Sequence, residues 1–127
     1  QWPLLTVHPN DAKKYAIKDG EWVWIESDRG RFRQVAYVCE KVKEGVVHAE
    51  HAWWYPEQKA EAPYLFGTFD SNVNNLTRNF QAGPGGIGSP IKCTRCRIYK
   101  YQEGDTPAGV QILERGGWRD DYEPMKA

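Results

Sequence analysis

The sequence predicts a small, mainly β domain with short helices and long loops, closed into a barrel. Short runs rich in aromatic and β-branched residues recur along it, separated by Gly- and Asp-bearing turn signals. Only one stretch, following Pro9-Asn10-Asp11, reads as a helix. A sheet of several short strands hides its edges most economically by closing on itself.

Leu4-Leu5-Thr6-Val7 is the first strand, and Pro9-Asn10-Asp11 then supplies turn and N-cap chemistry for a short helix ending near Ile17. Ala12, Tyr15 and Ala16 are expected to face the core. Lys18-Asp19-Gly20 turns the chain into Trp22-Val23-Trp24-Ile25, which alternates large aromatic with β-branched residues up to a tight turn at Asp28-Arg29-Gly30. The next strand, residues 32–39, has apolar residues on both faces, which calls for burial on both sides or a bulge. Glu44-Gly45 leads into a strand at Val46-Val47-His48-Ala49.

From Trp53 to Pro90 the pattern is loop, with Pro56, Pro63, Gly67 and the run Gly83-Pro84-Gly85-Gly86-Ile87-Gly88. Long structureless stretches in a compact domain are functional or mobile. Periodicity returns at residues 91–99 as a last strand. Residues 101–127 are rich in Gly, Asp, Glu and Lys, with only Val110 to Leu113 strand-like, so a barrel over residues 1–100 is expected to carry a partly mobile tail over 101–127.

At 127 residues and 40% apolar, the chain is sized for one core. Its 17 basic and 17 acidic side chains cancel, removing the positive field that nucleic acid or an anionic membrane surface would need. No apolar run approaches the roughly 20 residues of a membrane span, so no membrane insertion is expected. The chain opens at Gln1 without Met and enters a strand almost at once, the expectation for a piece of something longer. Cys39, Cys93 and Cys96 cannot all pair with one another; reduced thiols and a cytoplasmic origin follow, without excluding export of a parent protein carrying its cofactor.

Function concentrates in His51-Ala52-Trp53-Trp54-Tyr55-Pro56, Ser71-Asn72-Val73-Asn74-Asn75-Leu76-Thr77 and Pro90-Ile91-Lys92. Trp53, Trp54 and Tyr55 can cover a flat heterocycle, an Asn amide can both donate to it and accept from it, and the Lys92 ammonium can hold an anionic or carbonyl group. No nucleophile or general base stands beside them in a catalytic spacing, so no catalytic residue is assigned. Each feature also has a plainer reading. The tryptophans could be core, Asn74 and Asn75 turn formers, and Lys92 a solvated strand residue. Asn75-Leu76-Thr77 fits the glycosylation acceptor pattern, a frequent chance match.

Two further patterns carry less. Cys93 and Cys96 with His48 and His51 make two spaced pairs of zinc ligands, yet a three-residue separation on a strand sends the members of a pair to opposite faces. Cys96 is read instead as a small core hydrophobe, and no metal site is assigned. Gly83-x-Gly85-x-x-Gly88 matches a dinucleotide fingerprint, but Pro84 interrupts it and no helix follows to meet the phosphates.

Several motifs taken in order resemble one family. They are His8-Pro9-Asn10-Asp11-Ala12, Ile17-Lys18-Asp19-Gly20-Glu21-Trp22-Val23, Ser27-Asp28-Arg29-Gly30, Gly45-Val46-Val47, Asn74-Asn75-Leu76-Thr77 and Pro90-Ile91-Lys92. Residues 1 to about 100 are thereby similar to the C-terminal molybdopterin dinucleotide-binding domain of the dimethyl sulfoxide reductase family of molybdenum and tungsten oxidoreductases. Trp-Val-Trp-Ile-Glu-Ser and His-x-Trp-Trp-Tyr-Pro-Glu look most like its acetylene hydratase and formate dehydrogenase-like branch.

The resemblance implies a double-psi β-barrel that covers part of the pterin and dinucleotide surface of two molybdopterin guanine dinucleotides held around a single Mo or W. By motif position it implies cofactor contacts from Asn74 and Lys92, with Asn72 in the same segment and His51, Trp53, Trp54 and Tyr55 on the loop whose aromatics flank the pterin. Ala52 departs from the family, where Gly is common. The metal's protein ligand lies outside the matching region, so the fragment by itself is expected to position cofactor rather than to catalyse. The partners implied are the remaining domains of a parent oxidoreductase and an electron-transfer subunit. The alternative is a non-catalytic interaction module with an aromatic partner-binding loop, with or without structural zinc.

Overall fold

A computed structural model of the chain describes residues 2–62, 64–77 and 94–105. Its elements in order are β1 (Leu4–Val7), α1 (Pro9–Lys14), β2 (Trp22–Glu26), β3 (Arg31–Val38), β4 (Val47–Ala49), a 3-10 turn at Leu65–Gly67, α2 (Thr68–Ser71), a second 3-10 turn at Val73–Asn75, and β5 (Arg97–Lys100).

The helix is shorter than its sequence suggests, and both ends explain why. His8 is the N-cap, its Nδ1 accepting from the Asn10 N–H at 3.2 Å, with Pro9 in the first turn where a missing N–H costs nothing. At the other end Tyr15 caps the helix and Ala16 turns left-handed at φ 54°, so that the Ile17 N–H closes back onto the Ala12 carbonyl at 2.8 Å. That reversal buries Ile17 and leaves Tyr15 and Ala16 exposed, which corrects the expectation that they face the core. The buried Asp11 carboxylate accepts from the Gly45 N–H at 2.7 Å and ties α1 to the turn before β4.

The five strands form one sheet in the order β4-β1-β3-β2-β5. β1 pairs parallel with β3, and every other neighbour pairs antiparallel. β3 is therefore central, which accounts for its apolar residues on both faces. No bulge is involved, since the β2–β3 register runs unbroken from Trp22↔Val35 to Glu26↔Arg31. Leu5, Val7, Val23, Ile25, Phe32, Ala36 and Ile98 point to one side and join Ala12, Ile17 and Leu76 in a single core. Residues from β1 and from the edge strand β5 meet in that core, and Val47 and Ala49 of the other edge pack against it. The sheet is thus curled into a half-barrel whose edges, near Val47 and near Arg97, border a shared cavity of about 490 Å³.

The other side of the sheet is an aromatic and arginine layer. The Arg31 guanidinium lies 4.2 Å from the Trp24 ring centre, and Arg33 lies between Trp22 and Tyr101 at 5.0 and 4.9 Å. Trp24 is fully buried there, its indole N–H donating to Asp105 Oδ2 at 2.8 Å. The nearly buried Glu26 accepts from Arg97 at 3.0 Å and from the Tyr99 hydroxyl at 2.5 Å. Packing on this side of the sheet therefore includes Tyr101 and Asp105.

Other element boundaries move as well. The stretch read as loop contains three short helical elements between Leu65 and Asn75. The last strand is Arg97–Lys100 among the described residues; 91–93, the Gly-rich run 83–88 and the 110–113 candidate lie outside them, as does the tail beyond 105 with its expected mobility. Cys96 is exposed rather than core. It precedes β5, past the final β2 partner Glu26↔Arg97, where no neighbouring strand covers it, and the inward position goes to Ile98.

Candidate functional site: two loops clipped together on the central strand

Gln34 is the origin of the site's geometry. It lies on the inward face of β3 between Phe32 and Ala36 and is completely buried. Its Nε2 donates to the Glu50 carbonyl at 2.7 Å and to the Ser71 carbonyl at 3.3 Å. The first lies just before the aromatic loop, the second just before the Asn-rich loop. A second clip joins the same loops: buried Tyr55 places its hydroxyl 2.6 Å from Ser71 Oγ. Burial pushes the Tyr55 hydroxyl's pKa up, so it remains a neutral hydrogen-bonding group.

The backbone around Tyr55 is held by a strained segment. Its N–H donates to the Phe66 carbonyl at 2.7 Å, and Leu65, Phe66 and Gly67 take φ values of 43°, 56° and 63° in succession. At Gly67 a Cβ would stand 2.8 Å from Tyr55 Cδ2, so both conformation and space require glycine. Two non-glycine residues in the left-handed region are a local cost that the surrounding contacts must outweigh. On this platform Trp54 sets its edge against Phe66, ring centres 5.6 Å apart, and remains half exposed. Trp53 packs edge-on to Tyr55 at 6.5 Å, and its buried indole N–H has no acceptor among the described residues. Trp2 extends the aromatic row, 6.4 Å from Tyr55 and 5.5 Å from Trp22.

The Asn-rich loop divides its labour. Asn72 Oδ1 accepts from the Asn74 N–H at 2.9 Å and caps the second 3-10 turn. Asn75 is buried, and its Nδ2 donates to the carbonyls of Arg31 (3.0 Å) and Phe69 (2.6 Å), pinning the loop to the β2–β3 hairpin. Gly30 makes that contact close, since a Cβ there would meet the Asn75 carbonyl oxygen at 3.1 Å. Asn74 is exposed; its Oδ1 and carbonyl are 3.4 and 3.3 Å from Thr77 Oγ1. Next to Ser71, Asp70 pairs with Arg33 at 3.5 Å, yet burial raises its pKa against the pull of that guanidinium.

The structure therefore draws Trp53, Trp54 and Tyr55 to Asn72 and Asn74 through the Tyr55–Ser71 and Gln34 clips. His51 is exposed at the start of the aromatic loop, and Lys92 lies outside the described residues. Tyr55 and Asn72 serve the site as anchors, the Tyr55 hydroxyl and Asn72 Oδ1 already engaged. Sequence reading missed Gln34, Ser71 and Asn75. Gln34 had a signal, a lone amide in alternation with the apolar Phe32, Ala36 and Val38. Ser71 and Asn75 had none, because nothing local distinguishes a buried Asn from a turn former.

Cys93 of the suggested zinc set lies outside the described residues, while His48, His51 and Cys96 are all exposed. Among the described residues no three His, Cys, Asp or Glu side chains are grouped to hold a metal ion.

Comparison with known proteins agrees with this geometry. Residues 1–94 match the family described as molydopterin dinucleotide binding domain. Over 108 residues the chain is 36% identical to the dopamine dehydroxylase of Eggerthella lenta, covering 84% of this chain and 10% of that protein. It is 31% identical over 108 residues to the biotin sulfoxide reductase of Cereibacter sphaeroides, covering 85% of this chain and 14% of that one. Among solved structures, acetylene hydratase from Pelobacter acetylenicus superposes with a TM-score of 0.70 at 25% identity, over 79% of this chain and 14% of its own. The chain thus spans about a tenth of the curated relatives it matches. A curled, mainly β domain with its aromatic and Asn-rich loops clipped together, matched over residues 1–94, belongs to the molybdopterin dinucleotide-binding domain family of the dimethyl sulfoxide reductase class of molybdenum and tungsten oxidoreductases.

Proposed function

We propose that the chain is the cofactor-positioning domain of a large molybdenum- or tungsten-dependent oxidoreductase, and that its clipped loops form the grip on one molybdopterin guanine dinucleotide. The residues fit such a group. Trp54 offers an exposed ring, Asn74 an exposed amide, and Trp53 a buried indole N–H with no acceptor among the described residues. That orphaned donor is the observation that carries the reading, because a buried N–H without a partner is costly and a ligand acceptor would satisfy it.

In this reading Asn74 and Lys92 hydrogen-bond the cofactor, Trp53 and Trp54 wall its flat ring system with His51 at the rim, and Tyr55 and Asn72 hold the two loops in place. When bound, the cofactor supplies the metal centre and its redox chemistry. The protein's share is to orient the group and exclude water from one side of it. No residue of this chain is assigned a proton-transfer or nucleophilic role. The domain's partners are the remaining domains of the parent and an electron-transfer subunit, with no nucleic acid. No helix among the described residues is long and apolar enough to cross a membrane. The free thiols Cys39 and Cys96 support folding in the reducing cytoplasm.

The test is pterin content per polypeptide in the parent enzyme. Asn74→Ala and Trp53→Phe are each expected to lower retention about tenfold, since a hydrogen bond to a charged cofactor contributes roughly 1.5 to 3 kcal/mol. Full retention in both variants would remove these loops from the cofactor site.

A further inference from the structure

Beyond the residues that would touch the cofactor, we infer that Gln34 is a positioning residue, a buried amide whose two hydrogen bonds set the separation between the aromatic loop and the Asn-rich loop. The inference rests on the reading of those loops as the cofactor grip.

Three observations carry it. First, Gln34 is completely buried on the inward face of β3, its register partner is Val23, and Phe32 and Ala36 flank it on the same face. An apolar residue of similar volume would fill that position at lower cost. Second, its Nε2 faces two backbone carbonyls, Glu50 at 2.7 Å and Ser71 at 3.3 Å. Carbonyl oxygens only accept, so the donor end of the amide must point at them, and the assignment of nitrogen and oxygen follows from the chemistry. Third, with that end fixed, Oε1 is left buried with no partner among the described residues. An amide satisfied at one end and orphaned at the other is a poor choice for stability alone. What it supplies is a fixed spacing between two segments remote in sequence, one opening onto Trp53 and Trp54, the other onto Asn74.

The geometry also explains why the clip is doubled. Tyr55–Ser71 joins the loops through two buried side chains. Gln34 fixes their backbones from beneath, on the most deeply embedded strand of the sheet. Removal of the lower clip leaves the core able to close while the loops lose their common reference.

The experiment uses the parent oxidoreductase. Gln34→Met keeps volume and apolar packing but deletes both donors; Gln34→Glu keeps shape but presents a carboxylate to two carbonyls. For Gln34→Met we expect pterin retention to fall about fivefold to tenfold, with the urea midpoint of the same preparation unchanged or higher. For Gln34→Glu we expect retention relative to wild type to rise as pH is lowered, because only the protonated carboxyl can donate to Glu50 or Ser71. Wild-type retention in a folded Gln34→Met protein would overturn the inference, and so would a loss matched by an equal loss of stability. A flat pH ratio for Gln34→Glu would overturn it as well, and that arm decides the matter if Gln34→Met fails to fold. Asn74→Ala in parallel separates the two ideas. Loss of retention there with none in Gln34→Met rejects the positioning role alone, whereas full retention in Asn74→Ala rejects the grip itself.

Discussion

Adjacent asparagines show how little a residue's type says about its work. Asn74 is exposed and, among the described residues, hydrogen-bonds within its own turn, whereas Asn75 is buried and donates to Arg31 and Phe69. Asn75→Ala is expected to destabilise the chain by about 1 to 3 kcal/mol, because two part-buried carbonyls lose their donor. Asn74→Ala should cost less than about half a kcal/mol. Urea midpoints at constant m separate the two; equal midpoints would contradict the division of labour drawn here. Asp105 makes a second prediction at this scale. The Gln102 N–H and then the Trp24 indole N–H hold its carboxyl below the usual range. A carboxyl whose folded pKa lies below its unfolded value stabilises the fold above that unfolded value, and the contribution disappears as pH falls through the lower, folded one. The Trp24 indole N–H resonance should therefore shift as pH is lowered through and below the ordinary carboxylate range, and in Asp105→Asn it should not titrate. Asp70 has the opposite sign: burial raises its pKa, so its charged form weighs against the fold as pH rises.

Among elements, the strands were legible and the helical turns were not. β1, β2 and β3 announce themselves as short runs rich in aromatic and branched apolar residues between turn signals, and each falls within a residue or two of its expected span. The hairpin turn at Asp28-Arg29-Gly30 is local chemistry, closed by the Ser27 N–H on the Gly30 carbonyl at 2.9 Å. Leu65–Gly67, by contrast, is held in a left-handed run by Tyr55 and Lys59 from elsewhere in the loop, and no property of Leu65 or Phe66 forecasts that. The helix end at Tyr15 is unreadable for the same reason, since Ala16 is an unusual residue for φ 54° and accepts it so that Ile17 reaches the core. The 3-10 segment makes its own prediction. Gly67→Ala should cost at least about 2 kcal/mol, combining left-handed strain with collision against Tyr55. It should also raise Trp54 accessibility to a fluorescence quencher; unchanged stability and quenching would show that the loop adapts freely.

At the scale of the whole molecule, the mainly β, curled architecture could be read from strand count and turn spacing, while the strand order could not. Nothing in a linear pattern says that β1 lies beside β3 instead of β2, and that choice depends on the core shared by Leu5, Phe32 and Ile98. The residues proposed for the site, Trp53, Trp54 and Asn74, were singled out by their aromatic cluster and motif position and not by residue type alone, since a loop Asn by itself reads as a turn former. The framework of the site was not legible, because Gln34, Ser71 and Asn75 act through contacts between segments far apart in sequence.

The parallel pairing of β1 with β3 has a kinetic consequence. β1 lies between β3 and β4, so among the described strands β4 joins the sheet through β1, whereas β2 and β3 pair across a local turn. Local pairings close first, so the expected order is the β2–β3 hairpin, then β1 on β3, with the three-residue β4 docking after β1. Val47→Ala should consequently speed unfolding while leaving the refolding rate nearly unchanged, whereas Phe32→Leu in the hairpin should slow refolding. Stopped-flow chevrons of the two variants give the order directly, and a Val47→Ala protein that refolds slowly would place β4 at the beginning of the sequence of events instead of its end.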